Sequence, residues 1–157
     1  MKKLLIAFLL ITGVSLGVNA QDKDKDKLDP ASVPQAVQTA FKNAYADAAD
    51  VHWKMKNTLY KAKFKMGETK HLAEFDASGA IVAKGMVIPT SEVPPAVTTA
   101  VQTANANLSI NEVYKIEKGT EVNYLVKMSG TPEKVYLYTA EGKLVKEDEK
   151  VVKKEQP

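Results

Sequence analysis

The residues able to carry chemistry are few and scattered. His52 and His71 are the only histidines; with Glu74 or Asp50 they would make a metal site if a sheet brought them together. No close spacing such as His-x-x-x-His supports one, and an isolated surface histidine is ordinarily just a polar group. Ser78, Ser91, Ser109 and Ser129 fall in turns or links, and none sits in a nucleophile-elbow pattern. The chain has no cysteine. Glu74 and Asp76 fall at a strand end and a turn, where Asp76 caps the turn through its side chain. Gly79 and Gly85 lack the context of a phosphate-binding loop. Asp22, Asp24 and Asp26 alternate as in a calcium loop, but the glycine and distal glutamate of such a loop are missing. The expectation is a chain with no catalytic residue, no metal and no cofactor, and therefore not an enzyme.

The lysines are more informative. Lys54, Lys56, Lys61, Lys63 and Lys65 share one parity of two alternating segments. The matching parity of the second half carries Leu125, Lys127, Val135 and Leu137. One reading is a solvated sheet face whose lysines keep it from sticking to others. The sharper reading is a binding face, with apolar anchors in the second half and lysines steering an acidic protein partner.

These residues must be positioned by strands. Val51, Trp53 and Met55 alternate with His52, Lys54 and Lys56; Tyr60, Ala62, Phe64 and Met66 alternate with Lys61, Lys63 and Lys65. Period-two alternation marks antiparallel strands with one packed and one wet face. Lys56-Asn57-Thr58 and Gly67-Glu68 read as turns. Further strands run over 70–75 and 80–88, separated by the turn Asp76-Ala77-Ser78-Gly79. Ahead of them, Val33, Val37, Ala40, Phe41, Ala44, Tyr45 and Ala48 form the apolar stripe of a helix. Ser32 is expected to cap it, with Pro34 in its first turn. Trp53, Tyr60 and Phe64 are expected beneath it as core.

The pattern then returns. Val33-Pro34-Gln35-Ala36-Val37 is matched by Val93-Pro94-Pro95-Ala96-Val97, Tyr60 to Met66 by Tyr124 to Met128, and Phe75 to Gly79 by Tyr138 to Gly142. Repetition in one order at one offset indicates two copies of a unit. The second helix carries Val93, Val97, Ala100, Val101, Ala104 and Leu108; its strands are expected over 110–117, 122–128, 134–138 and 143–147. The fold class is α+β: two tandem units of one helix and a four-stranded antiparallel meander, over 33–88 and 89–147. A lone helix on four strands makes a thin core, so the units are expected to merge into one sheet with both helices on one face. The alternative is two lobes hinged at 89–95.

Lys2 and Lys3, an apolar run from Leu4 to Val18, and Val18-Asn19-Ala20 read as a secretory leader cleaved after Ala20. The run is shorter than the ~20 apolar residues of a membrane span. Location is thus expected to be periplasmic or secreted, with no membrane attachment after cleavage. Residues 21–32 read as a charged linker and 148–157 as a charged tail. The whole chain has 22 basic and 19 acidic residues; losing Lys2 and Lys3 leaves 20 against 19, about +1. Every basic residue is lysine. Near-neutral charge without arginine argues against a nucleic-acid partner.

Val33-Pro34 with Val37 and Phe41, Tyr45 with Ala48, Trp53, Tyr60-x-Ala62-x-Phe64 and Phe75-Asp76-x-x-Gly79 resemble the PepSY-like, beta-lactamase-inhibitor-protein-like (BLIP-like) domain of secreted proteins in Bacteroidetes-type bacteria. The resemblance spans roughly 31–147 in two copies. Tyr45-Ala46 stands where the family tends to have Tyr-Pro, and the second copy has Asn105 near the tyrosine position and no tryptophan. It implies a helix-plus-four-strand fold and a binding or inhibitory role. The expected function is a secreted non-enzymatic protein-binding module, inhibitor-like or propeptide-like. The alternative is a small-ligand or metal carrier of the cell envelope, which would need a concave pocket with converging polar groups.

Overall fold

The computed structural model describes residues 27–130 and 133–150. The expected leader, the first part of the linker and residues 151–157 of the tail lie outside the described residues. In chain order the elements are strand β1 (Lys27–Leu28), helix α1 (Gln35–Ala44), strands β2 (Ala49–Lys56), β3 (Leu59–Met66), β4 (Thr69–Phe75) and β5 (Ile81–Ile88), helix α2 (Pro95–Ala104), and strands β6 (Ile110–Lys118), β7 (Glu121–Met128), β8 (Glu133–Thr139) and β9 (Leu144–Lys150). The nine strands form one antiparallel sheet in sequence order. Among the described residues the chain is α+β, with two α-helices and a nine-stranded antiparallel meander.

The two halves meet without a hinge. β5 pairs with β6 from Lys84 opposite Glu117 to Ile88 opposite Val113, which makes the sheet continuous. Directly opposed residues share a face. The row Trp53, Ala62, Ala73, Lys84 and Glu117 therefore continues the face that carries Ile88, Val113, Val126 and Tyr136. α1 packs on the first part of this face and α2 on the second. Val33, Val37 and Phe41 close over Trp53, Ala62, Phe64, Ala73 and Phe75. Val93, Val97 and Val101 close over Ile88, Val113, Tyr124, Val126, Met128, Tyr136 and Tyr138. Both helices thus lie on one side, and the other side is left without a covering element among the described residues.

Local chemistry explains the turns. Asp76 Oδ1 accepts from the backbone N–H of Ser78 at 2.8 Å and of Ala80 at 3.0 Å, and from Ser78 Oγ at 2.6 Å. The Ser78 hydroxyl and the Ala80 N–H hold this carboxyl below the ordinary aspartate value. Gly79 follows with φ of +89°, and a Cβ there would sit 2.7 Å from the Ala36 carbonyl oxygen of α1. Only glycine combines that backbone with that closeness.

Three expectations change. Ser32 does not cap α1. It ends a 3-10 turn, Pro30–Ser32, whose own cap is Asp29, accepting from the Ala31 N–H at 2.8 Å; Pro34 occupies the position before α1. The charged linker is shorter than 21–32, because Lys27 and Leu28 pair with Lys54 and Trp53, and Leu28 packs on the first core. The last strand runs on to Lys150, past the expected boundary at 147.

Candidate functional site: the open face of the sheet

The face away from the helices is a grid set by strand register. One row runs His52, Lys63, Leu72, Gly85, Ile116, Asn123 and Thr139. A second runs Lys54, Lys61 and Glu74. A third runs Val87, Tyr114, Leu125 and Leu137, with Glu112, Lys127 and Val135 beside it. All nine candidate binding residues read from the sequence, Lys54, Lys56, Lys61, Lys63, Lys65, Leu125, Lys127, Val135 and Leu137, belong to this face. The basic part lies on β2 to β4 and the apolar part on β5 to β8.

Their roles differ from the simple reading. Lys61 is ion-paired with Glu74, Lys65 with Asp50 at 2.7 Å, and Lys127 with Glu112. Lys54 and Lys63 are also engaged. Lys61, Lys65 and Lys127 are therefore each paired with a carboxylate. Val135 is only 9% exposed, beside its cross-strand neighbour Lys127, so it supports the face rather than anchoring a partner. Leu125 and Leu137 remain half-buried and reachable.

Sequence reasoning missed the centre of the face. Tyr114 is 4% exposed although it points away from both helices. Leu72, Val87, Ile116, Leu125 and Leu137 are all half-buried. Tyr114 is covered by its neighbours on this face: Lys127 lies over its ring and Glu112 holds its hydroxyl. A signal was present: Val113 and Tyr114, and again Tyr124, Leu125 and Val126, break the clean alternation by being apolar at both parities.

Around Tyr114 the polar groups form a connected set. Glu112, with 13% of its side chain exposed, accepts from Lys127 and, at 2.7 Å, from Lys70. Burial raises the Glu112 carboxyl, but the hydrogen bonds and charges of Lys127 and Lys70 outweigh it and bring it to about 2. Lys127 Nζ also stands 4.8 Å over the Tyr114 ring. Burial first, then the Glu112 charge, push the Tyr114 hydroxyl above its ordinary value, so it stays protonated. Beside this set, Asp50, His52, Lys63, Lys65, Lys70, Tyr114 and Lys127, together with Phe64 and His71, line a hollow of about 350 Å³.

The two histidines border this hollow from opposite faces of the sheet. His52 opposes Lys63 on the open face, whereas His71 opposes Phe64 on the helix face and stacks on its ring at 5.6 Å. Burial lowers His71. No cluster of three or more metal-binding side chains occurs among the described residues.

On the helix face, a hollow of about 610 Å³ lies beside Phe41, Tyr45, Val51 and Trp53, and one of about 390 Å³ lies between Tyr45, Met66, Met86 and Lys115. Both open to solvent.

The family model described as "Putative beta-lactamase-inhibitor-like, PepSY-like" matches residues 20–72 and residues 58–146. The chain belongs to this family. Among solved structures, the chain is similar to a "putative periplasmic" protein of Bacteroides eggerthii, with TM-score 0.62 and 21% identity over 74% of this chain and 88% of that one. It is similar to a DUF2874 family protein of Bacteroides uniformis, with TM-score 0.60 and 23% identity over the same shares, 74% and 88%. It is also similar to a BLIP-like protein of Bacteroides fragilis, with TM-score 0.55 and 22% identity over 79% and 92%. At these identities the likeness speaks for the fold. No curated protein matches the chain. No described helix is long and apolar enough to cross a membrane.

Proposed function

We propose that this PepSY-like chain is a secreted, non-enzymatic protein-binding module that recognises its partner with the open face of the sheet, in an inhibitor-like or propeptide-like role. The observation that carries the reading is the half-buried apolar band Leu72, Ile116, Leu125 and Leu137, flanked by carboxylate-held lysines and uncovered by any described element. Such a surface is preorganised, so docking costs little side-chain ordering. The beta-lactamase-inhibitor-like family supports the inhibitory sense. The leader-like Met1 to Ala20 and the likeness to periplasmic proteins support secretion.

The two halves are, in this reading, copies of one unit. Val33 and Val93 share φ −76° and ψ 131°, and the helix-ending residues Tyr45 and Asn105 share φ near −140°. Gly79 and Gly142 approach the carbonyls of Ala36 and Ala96, at equivalent places in the two helices. Doubling the unit doubles the breadth of the open face, which is what a protein surface requires.

The test is affinity capture from native periplasm with immobilised secreted protein, comparing wild type with Leu125→Glu, Leu137→Glu and a control on the outer side of α1, Lys42→Glu. One partner retained by wild type and control but lost from both leucine variants is the expected result. Equal capture by all four proteins would refute the open face as the binding surface.

A further inference from the structure

We propose that the hollow ringed by Lys63, Lys65, Lys70 and Lys127 around Tyr114 receives the carboxylate of an aspartate or glutamate side chain presented by the docked protein. This rests on the open-face reading and names what that face recognises. The hollow is lined from the basic strands β2 to β4 and, across β5, from β6 and β7. Four lysines line it, with Asp50 and both histidines, while Glu112 stands outside the lining and pairs with Lys70 and Lys127. Glu112 positions Lys70 and Lys127, and Asp50 positions Lys65, so their ordering precedes binding. An ammonium carries three donors. A lysine that gives one to Glu112 or Asp50 retains others for an incoming acceptor.

The surroundings favour a carboxylate set among apolar groups. Leu72 and Ile116 lie in the row that continues from Lys63, and Leu125 is the cross-strand neighbour of Tyr114. These half-buried side chains lie on the same open face outside the lining of the hollow, where apolar neighbours of the incoming acidic residue would pack. Tyr114, its hydroxyl engaged with Glu112, lends its ring to the wall of the hollow. The occupant is therefore an acidic residue with apolar neighbours on a protein loop. The lysines supply point charges, without the rigid fork that arginine offers to phosphate.

The experiment is an NMR titration of the isotope-labelled secreted protein with two capped peptides, Leu-Glu-Leu and Leu-Gln-Leu. The glutamate peptide is expected to give saturable shifts at Tyr114, Lys127 and the β3 and β4 amides. Its affinity should exceed that of the glutamine peptide by about tenfold, the equivalent of one charge-assisted hydrogen bond. The advantage should shrink with added salt and vanish in a Lys63→Gln, Lys65→Gln double variant whose amide spectrum remains dispersed. Equal affinities, or shifts confined to the groove between the helices, would overturn the proposal. That failure is distinct from failure of the open-face reading, which is judged by the leucine variants in the capture experiment.

Discussion

The Tyr136 hydroxyl donates a 2.8 Å hydrogen bond to Asn105 Oδ1, tying strand β8 to the end of helix α2. Asn105 in turn donates through Nδ2 to the Val101 carbonyl. The end of α1 is closed differently: Tyr45, in the same backbone conformation, packs its ring 5.4 Å from Phe41 and 4.6 Å from Phe64. One half uses an aromatic stack and the other a polar bridge. Tyr136→Phe leaves the part-buried Asn105 oxygen without this donor and is expected to cost about 1 kcal/mol. Urea unfolding should show a lower midpoint with an unchanged slope. No change in midpoint would mean that the bridge contributes nothing net.

Gly79 and Gly67 separate two costs that are often merged. Both have positive φ, +89° and +58°, but a Cβ at Gly67 meets nothing within 4 Å, whereas at Gly79 it meets the Ala36 carbonyl. Gly67→Ala is expected to cost about 1 kcal/mol for the left-handed backbone alone. Gly79→Ala must also push α1 off the sheet and should cost at least about 2 kcal/mol. Equal losses in thermal unfolding would show that the helix yields freely.

Phe41 is the centre of the first core. Its ring lies 5.0 Å from Phe64 and 5.2 Å from Trp53, both edge-on, and 6.2 Å from Phe75. Phe41→Ala removes this contact and leaves a cavity, for an expected loss of about 3–5 kcal/mol. Trp53 is the chain's one tryptophan, so its emission should shift to the red if water enters the cavity. An unshifted spectrum and a loss below about 1 kcal/mol would show that the site collapses around the alanine.

Much of the architecture was legible because local patterns agreed. The alternation in Tyr60 to Met66 and the stripe from Val37 to Phe41 placed strands, helix and buried face close to their observed positions. Parity alone put the five lysines and Leu125 on one side. What local pattern could not supply was pairing across distance. Lys127 meets Glu112, 15 residues away, through the β6–β7 register, and Lys70, 42 residues away, reaches it across β5. Tyr114 was missed for the same reason, since the side chains that cover it, Glu112 and Lys127, come from different places in the sequence. Ser32 failed as a cap because Asp29 nucleates a competing 3-10 turn just ahead of α1.

Glu112 should make stability pH-dependent in a definite window. Its carboxyl stands at about 2 in the folded protein, against an ordinary value of 4.5. A carboxyl depressed on folding stabilises the protein above its unfolded value and loses that contribution as pH falls toward its folded value. The full difference would correspond to about 3 kcal/mol. Lys70 is more than half exposed, so solvent screening reduces the expected figure to about 2 kcal/mol. Between pH 5 and 2, wild type should therefore lose about 2 kcal/mol more than Glu112→Gln in urea unfolding followed by Trp53 emission. The other depressed carboxylates, Asp50, Asp76, Glu117 and Glu141, titrate in both proteins and cancel in the comparison. Parallel pH profiles would mean that Lys70 and Lys127 do not hold Glu112 ionised, and the rigid lysine arrangement at the hollow would lose its support.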